Sequence, residues 1–182
     1  MEKQELQTTT KPVSLATLQP DVLGRDLIKV RSTRDALAIV DNEPDKYPAI
    51  SSLRAKFGAE KVEAVIKLHL IDLCENVNLK RPLRDAQVDN IAREIVSEYY
   101  YLTIADVHVI FRNAKTGVYG EFYESLDMPK VMTWFREYFK DRCSLAEQDS
   151  ISGRFRDSND PRSQELARMY LDKLEKQSKM KK

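Results

Sequence analysis

Five glycines in 182 residues are too few for a chain built from many tight β-turns, and most stretches between them lack proline. The sequence therefore favours helices. The two cysteines, Cys74 and Cys143, are too far apart for a CxxC pair and read as reduced, semi-buried thiols within helices. The two histidines form no Cys/His cluster with metal-ligand spacing, so a zinc centre by that route is not expected. No apolar run approaches the ~20 residues that span a bilayer. The opening MEKQELQTTTKPVSLATLQP lacks the continuous apolar stretch of a secretory signal, so a cytoplasmic location without membrane contact is the default expectation. Neither sign of charge dominates: 30 Lys+Arg against 29 Asp+Glu leave a net +1, and any nucleic-acid or membrane contact must be local. There is no GxxxxGKS or GxGxxG loop to cradle a nucleotide phosphate.

What is present is a chain 42% hydrophobic and 32% charged, enough for one core under a charged surface. The expected fold is all-α: a compact multi-helix bundle in 21–146, with a flexible arm at 1–20, a polar linker at 147–160 and a basic C-terminal helix at 161–182. Apolar residues return at Val22, Leu27, Val30, Leu37 and Val40, which predicts one or two short helices broken near Ser32. Pro44 and Pro48 interrupt them. A helix over 49–57 should end at Gly58, and the next, over 59–76, is apolar on several faces and should lie centrally. Val88, Ile91, Ile95 and Tyr99 mark a helix over 84–100 whose Glu94 and Glu98 face solvent.

Thr103 is placed to cap a further helix, with Asp106 as its reciprocal partner and Gly117 as the stop. A β-hairpin of VHVIF and VYGEFY around NAKTG competes with that helix over 107–123. Asp127 then starts a helix whose stripe is Met132, Phe135, Phe139 and Cys143, flanked by Trp134. The predicted core comprises Ile66, Leu70, Ile91, Ile95, Phe111, Trp134 and Phe135.

His69, in the most apolar helix, reads as a hydrogen-bonded core imidazole, and His108 as a surface or boundary residue. Glu60, Glu63, Glu94 and Glu98 could hold magnesium between two helices, as in all-α nucleotide hydrolases, but charged helix faces produce such spacings routinely. In GVYGEFYESLD, two glycines allow tight backbone paths beside Tyr119, Phe122 and Tyr123, rigid aromatic faces suited to gripping a partner or plugging the core. Arg154, Phe155 and Arg156 form a second candidate contact, in which cations follow phosphates while a ring stacks on a base. No catalytic, cofactor or metal residue is assigned.

The Phe57–Gly58 turn, the 87–95 helix, YYYLTIADV, AKTGVYGEFYESLD and the 134–142 helix together resemble an uncharacterised helical family of bacterial phages and mobile elements. The resemblance covers about half the chain, from Ile50 to Arg142. The chain is also loosely similar to phage replication accessory proteins that engage a replicative helicase and lack nucleotide-binding motifs of their own. That similarity implies a non-enzymatic adaptor, helicase-loader-like, acting in DNA replication without a cofactor. The alternatives are a protein that binds nucleic acid directly and a metal-dependent nucleotide hydrolase.

Overall fold

The computed structural model describes residues 13–77, 79–120 and 125–158, with side chains to 150. These residues are all-α. A 3-10 turn, η1 (Leu15–Leu18), precedes seven helices: α1 (Pro20–Asp26), α2 (Thr33–Asn42), α3 (Ile50–Phe57), α4 (Ala59–Asn76), α5 (Asp85–Glu98), α6 (Ile104–Lys115) and α7 (Met128–Ser158). The β pairing among them is limited to two isolated bridges, Ala49–Thr103 and Arg81–Ser125. The chain forms two compact units, Met1–Arg142 and Cys143–Lys182.

Helix α4 is the hub, packing against η1, α1, α3, α5 and α6. Val62, Ile66, Leu70 and Leu73 recur at helical spacing and are fully enclosed. They share one core cluster with Ile91 and Ile95 of α5, Phe111 of α6, and Trp134 and Phe135 of α7, so every residue of the predicted core is buried. The apolar girdle of α4 is nonetheless not closed. Leu68 and Ile71, three positions apart on one strip, are 41% and 44% exposed.

The helix starts follow from local hydrogen bonding. Ser32 Oγ accepts the Asp35 N–H, and the Asp35 carboxylate accepts the Ser32 N–H, a capping box that separates α2 from α1. Thr103 and Asp106 repeat the arrangement at α6, and the helix they start runs to Lys115, which removes the hairpin over 107–115. Ile50 N–H donates to the Leu102 carbonyl at 2.8 Å and Ser51 N–H to the Tyr100 carbonyl at 2.7 Å. The first turn of α3 is thereby tied to the chain entering α6.

Gly58 joins α3 to α4 at φ 90° and ψ 152°, backbone that only glycine adopts without strain, although a Cβ there would meet no atom within 4 Å. Gly58→Ala is expected to cost about 1–3 kcal/mol through conformation alone. Gly24→Ala, inside α1 with its nearest neighbour at an ordinary 3.8 Å, should instead stabilise by about 0.5–1 kcal/mol. Urea melts of both variants check the pair, and equal shifts would show that the Gly58 backbone relaxes.

Four expectations are corrected. The arm drawn over 1–20 is too long, because Leu18 is buried and α1 begins at Pro20; a few apolar side chains suffice to seat 13–20 on α4. Residues 1–12 lie outside the described residues. The linker drawn at 147–160 is helical through Ser158, since Glu, Gln and Arg are good helix formers even where no apolar stripe marks them. The helix expected at 161–182 is outside the described residues. Cys143 is exposed rather than semi-buried, while Cys74 is half-buried as expected. His108 is buried, edge-on to the ring of His69 at 6.1 Å between centroids.

Candidate functional site

Tyr119 follows a turn made by Gly117 (φ 78°) and closes against the body of the protein. Its ring stacks on Trp134, 5.9 Å between centroids and 14° between planes, and burial pushes its phenol up to about 12. Tyr119 is half-buried, with the neighbouring Val118 exposed. Phe122 and Tyr123 lie outside the described residues, so the structure does not test the three as a set. Arg154, Phe155 and Arg156 lie in the last turns of α7, where the backbone alone is described. Glu60, Glu94 and Glu98 are exposed and Glu63 is half-buried. Among the described residues no three His, Cys, Asp or Glu side chains meet in a group that could hold a metal ion.

A second feature, not singled out in the sequence, is a cleft of about 670 Å³. One wall is the proline-bounded turn after α2, with Pro44, Tyr47 and Pro48; the other side carries Tyr101, Thr103 and Arg142. Val40, Ala49 and Leu53 add apolar surface, and Val13 and Lys56 stand at the margin, where Lys56 Nζ donates to the Val13 carbonyl at 3.4 Å. The first-turn amides of α3 are largely committed: Ile50 and Ser51 to α6-side carbonyls, Leu53 to Ala49.

Beneath the cleft lies a buried polar chain. Asp106 is fully enclosed; one carboxylate oxygen accepts Thr103 N–H (2.8 Å) and Thr103 Oγ1–H (2.9 Å), and the other accepts Tyr138 Oη–H at 2.6 Å. Burial and the adjacent carboxylate both push the Tyr138 phenol far upward, so it stays protonated and keeps donating. Arg142, one turn after Tyr138 on α7, lies with Nε 3.5 Å from the same Asp106 oxygen. Attraction to Asp106 therefore holds the guanidinium in place, while short hydrogen bonds from Tyr138 and Thr103 occupy the carboxylate.

Two buried donors at this cleft consequently have no acceptor. Arg142 Nε makes no hydrogen bond, and the hydroxyl of Tyr47, a residue only 1% exposed, has the Lys46 ammonium beside it but no acceptor for its proton. Lys46, which lies 5.2 Å from the centroid of the Tyr47 ring, is itself only a donor. Burial raises the Tyr47 phenol further, so it remains an O–H. An enclosed donor without an acceptor costs about 1–3 kcal/mol.

Sequence reasoning missed Tyr47 and Arg142. The one usable sign was Tyr47 itself, a large aromatic fixed between two prolines three and one residues away. The chain matches no protein-family model, no curated protein and no solved structure. The site must stand on its own chemistry.

Proposed function

We propose that the protein is a non-enzymatic adaptor that holds a segment of a protein partner in the cleft between the turn after α2 and the start of α6. The observation that carries this reading is the cleft itself, whose lining sets apolar side chains such as Val13, Val40 and Leu53 beside polar ones such as Ser52 and Lys56. Protein segments supply both kinds of group. A polyanion does not fit as well, because Lys56 is offset by Asp45 among the lining residues, and Arg142 by Asp106 beneath it. The candidate partner is a replicative helicase, with phage or mobile-element DNA replication as the setting.

The test is capture of the helicase by the full chain, compared between wild type, Val40→Arg and Tyr119→Ala. Val40 is partly buried at the cleft wall, so a charged side chain there should cut capture by about tenfold or more, as loss of a packed interface contact does. The melting temperature should change little. Capture unaffected by Val40→Arg but lost with Tyr119→Ala would move the contact to the glycine turn, and no capture by any form would remove the helicase as partner.

A further inference from the structure

Helix α4 is apolar on several faces, and a helix of that kind is normally covered on all of them. Its neighbours leave one face open. Val62, Ile66, Leu70 and Leu73 turn into the core, while Ala64, Leu68 and Ile71 recur at i, i+4 and i+7 on the opposite side and are exposed. Two ion pairs flank this strip. Lys67 Nζ lies 2.8 Å from Asp89 of α5, and on the other flank Asp72 lies 2.6 Å from Lys115 of α6, so the charges beside the middle of the strip are already neutralised within one molecule. Covering Leu68 and Ile71 therefore strands no charge there. No residue of α4 lines the cleft, which makes this a separate surface.

The two ends of the strip carry opposite charge, with exposed Lys61 near the start of α4 and exposed Glu75 near its finish, on the same edge. Two copies of the helix laid parallel would set each of these against its own kind. Laid antiparallel about a point between Leu68 and Ile71, they place Leu68 of each copy against Ile71 of the other, and Glu75 against the small Ala64, one turn from Lys61. A two-fold contact is self-complementary, so this pairing occurs twice. Glu60, exposed on the other edge, lies away from Glu75 of the second copy. From this pattern we propose that the open face of α4 is the contact of a homodimer, in which two α4 helices pack antiparallel through Leu68 and Ile71 and are held in register by reciprocal Lys61 and Glu75 pairs.

The strip is short, and a contact that buries less than about 1,200 Å² belongs to weak, reversible complexes, so the dimer should form at roughly tens of micromolar. Sedimentation velocity of the full chain across a dilution series that brackets this range is the measurement. Leu68→Lys should weaken association about tenfold or more, as a charge at the centre of a packed contact does. Its helical circular dichroism and its melting at low concentration should match wild type, because Leu68 is exposed in the single chain. Lys61→Glu alone sets acid against acid twice and should weaken the dimer severalfold. Adding Glu75→Lys should restore it, a recovery that a purely structural role for either residue would not give.

A monomer at every concentration would overturn the proposal, as would a dimer indifferent to Leu68→Lys. No recovery in the doubly reversed chain would overturn the antiparallel register. Loss of helicase capture in Leu68→Lys, with no self-association of wild type, would give the strip to that protein partner instead of a second copy. Capture kept by Leu68→Lys while its dimer is lost would support the dimer and separate its surface from the cleft.

Discussion

Acidification from pH 6.5 to pH 4 is expected to remove several kcal/mol of stability, and two histidines are the reason. His69 is 1% exposed, and its Nε2 lies 3.0 Å from the Leu18 carbonyl. A carbonyl only accepts, so the neutral ring carries its proton on Nε2 and pins η1 to α4. Burial depresses His69 to about 4, against the small opposing effect of that bond. His108 is also depressed to about 4, first by burial and then by the charges of His69, Lys115 and Arg112. In the unfolded chain both titrate near 6.5.

Between those values the unfolded chain binds protons that the folded protein refuses, so stability falls as the pH drops through this window. A displacement of that size is worth about 3 kcal/mol for His69 alone. The second ring contributes in the same direction, though the two are coupled at 6.1 Å and their effects do not simply add. Asp35, lowered by the Arg31 and Ser32 hydrogen bonds, loses its contribution only below the ordinary carboxylate range and does not mimic the effect. Urea midpoints between pH 7.5 and 4 measure it. His69→Gln, which retains a donor for Leu18, should flatten the profile, and equal wild-type stability at pH 7 and 4.5 would show the imidazoles to be solvated.

The pairing of these histidines shows where the sequence stops being informative. Periodicity and capping are local, and local features were legible: the Thr103–Asp106 box, the glycine stop after Phe57 and the limits of α4 all lie within a few residues of the groups that cause them. His69 and His108 are 39 positions apart, and His108 is enclosed because α4 and α1 both pack against α6. The same holds for the cleft. Pro44 and Pro48 read correctly as helix breaks, but a break becomes a wall only when α7 places Arg142 opposite.

Polarity misled in one place. The 147–158 stretch has no apolar stripe, which suggested a linker, yet residues such as Glu147, Gln148 and Arg154 have strong helix propensity, and Gly153 costs only about 1 kcal/mol there. Asp106 was recognised as a cap but not as a buried charge. Its place on an apolar helix, between Ile104 and Val107, already required partners, and Tyr138 and Arg142 supply them from one face of α7.

Trp134→Ala is expected to cost about 3–5 kcal/mol, the usual range for emptying a large aromatic site in a packed core. Trp134 is 1% exposed at the start of α7, and its neighbour Phe135 packs against Tyr99 and Phe111 at 5.1 and 5.7 Å between centroids. Removing the indole therefore opens a void beside the junction of α5, α6 and α7, and also takes away the surface on which Tyr119 stacks. A melting temperature lower by roughly 10–15 °C is the expected reading for a chain of this size. Tyr119→Ala, which removes a half-buried ring from the rim and leaves Trp134 in place, should cost distinctly less. Trp134 is the sole tryptophan, so wild-type fluorescence reports this core directly and should shift in the same urea transition as the helical circular-dichroism signal. Near-wild-type melting of Trp134→Ala would place the indole outside the core and remove the support on which the Tyr119 turn rests.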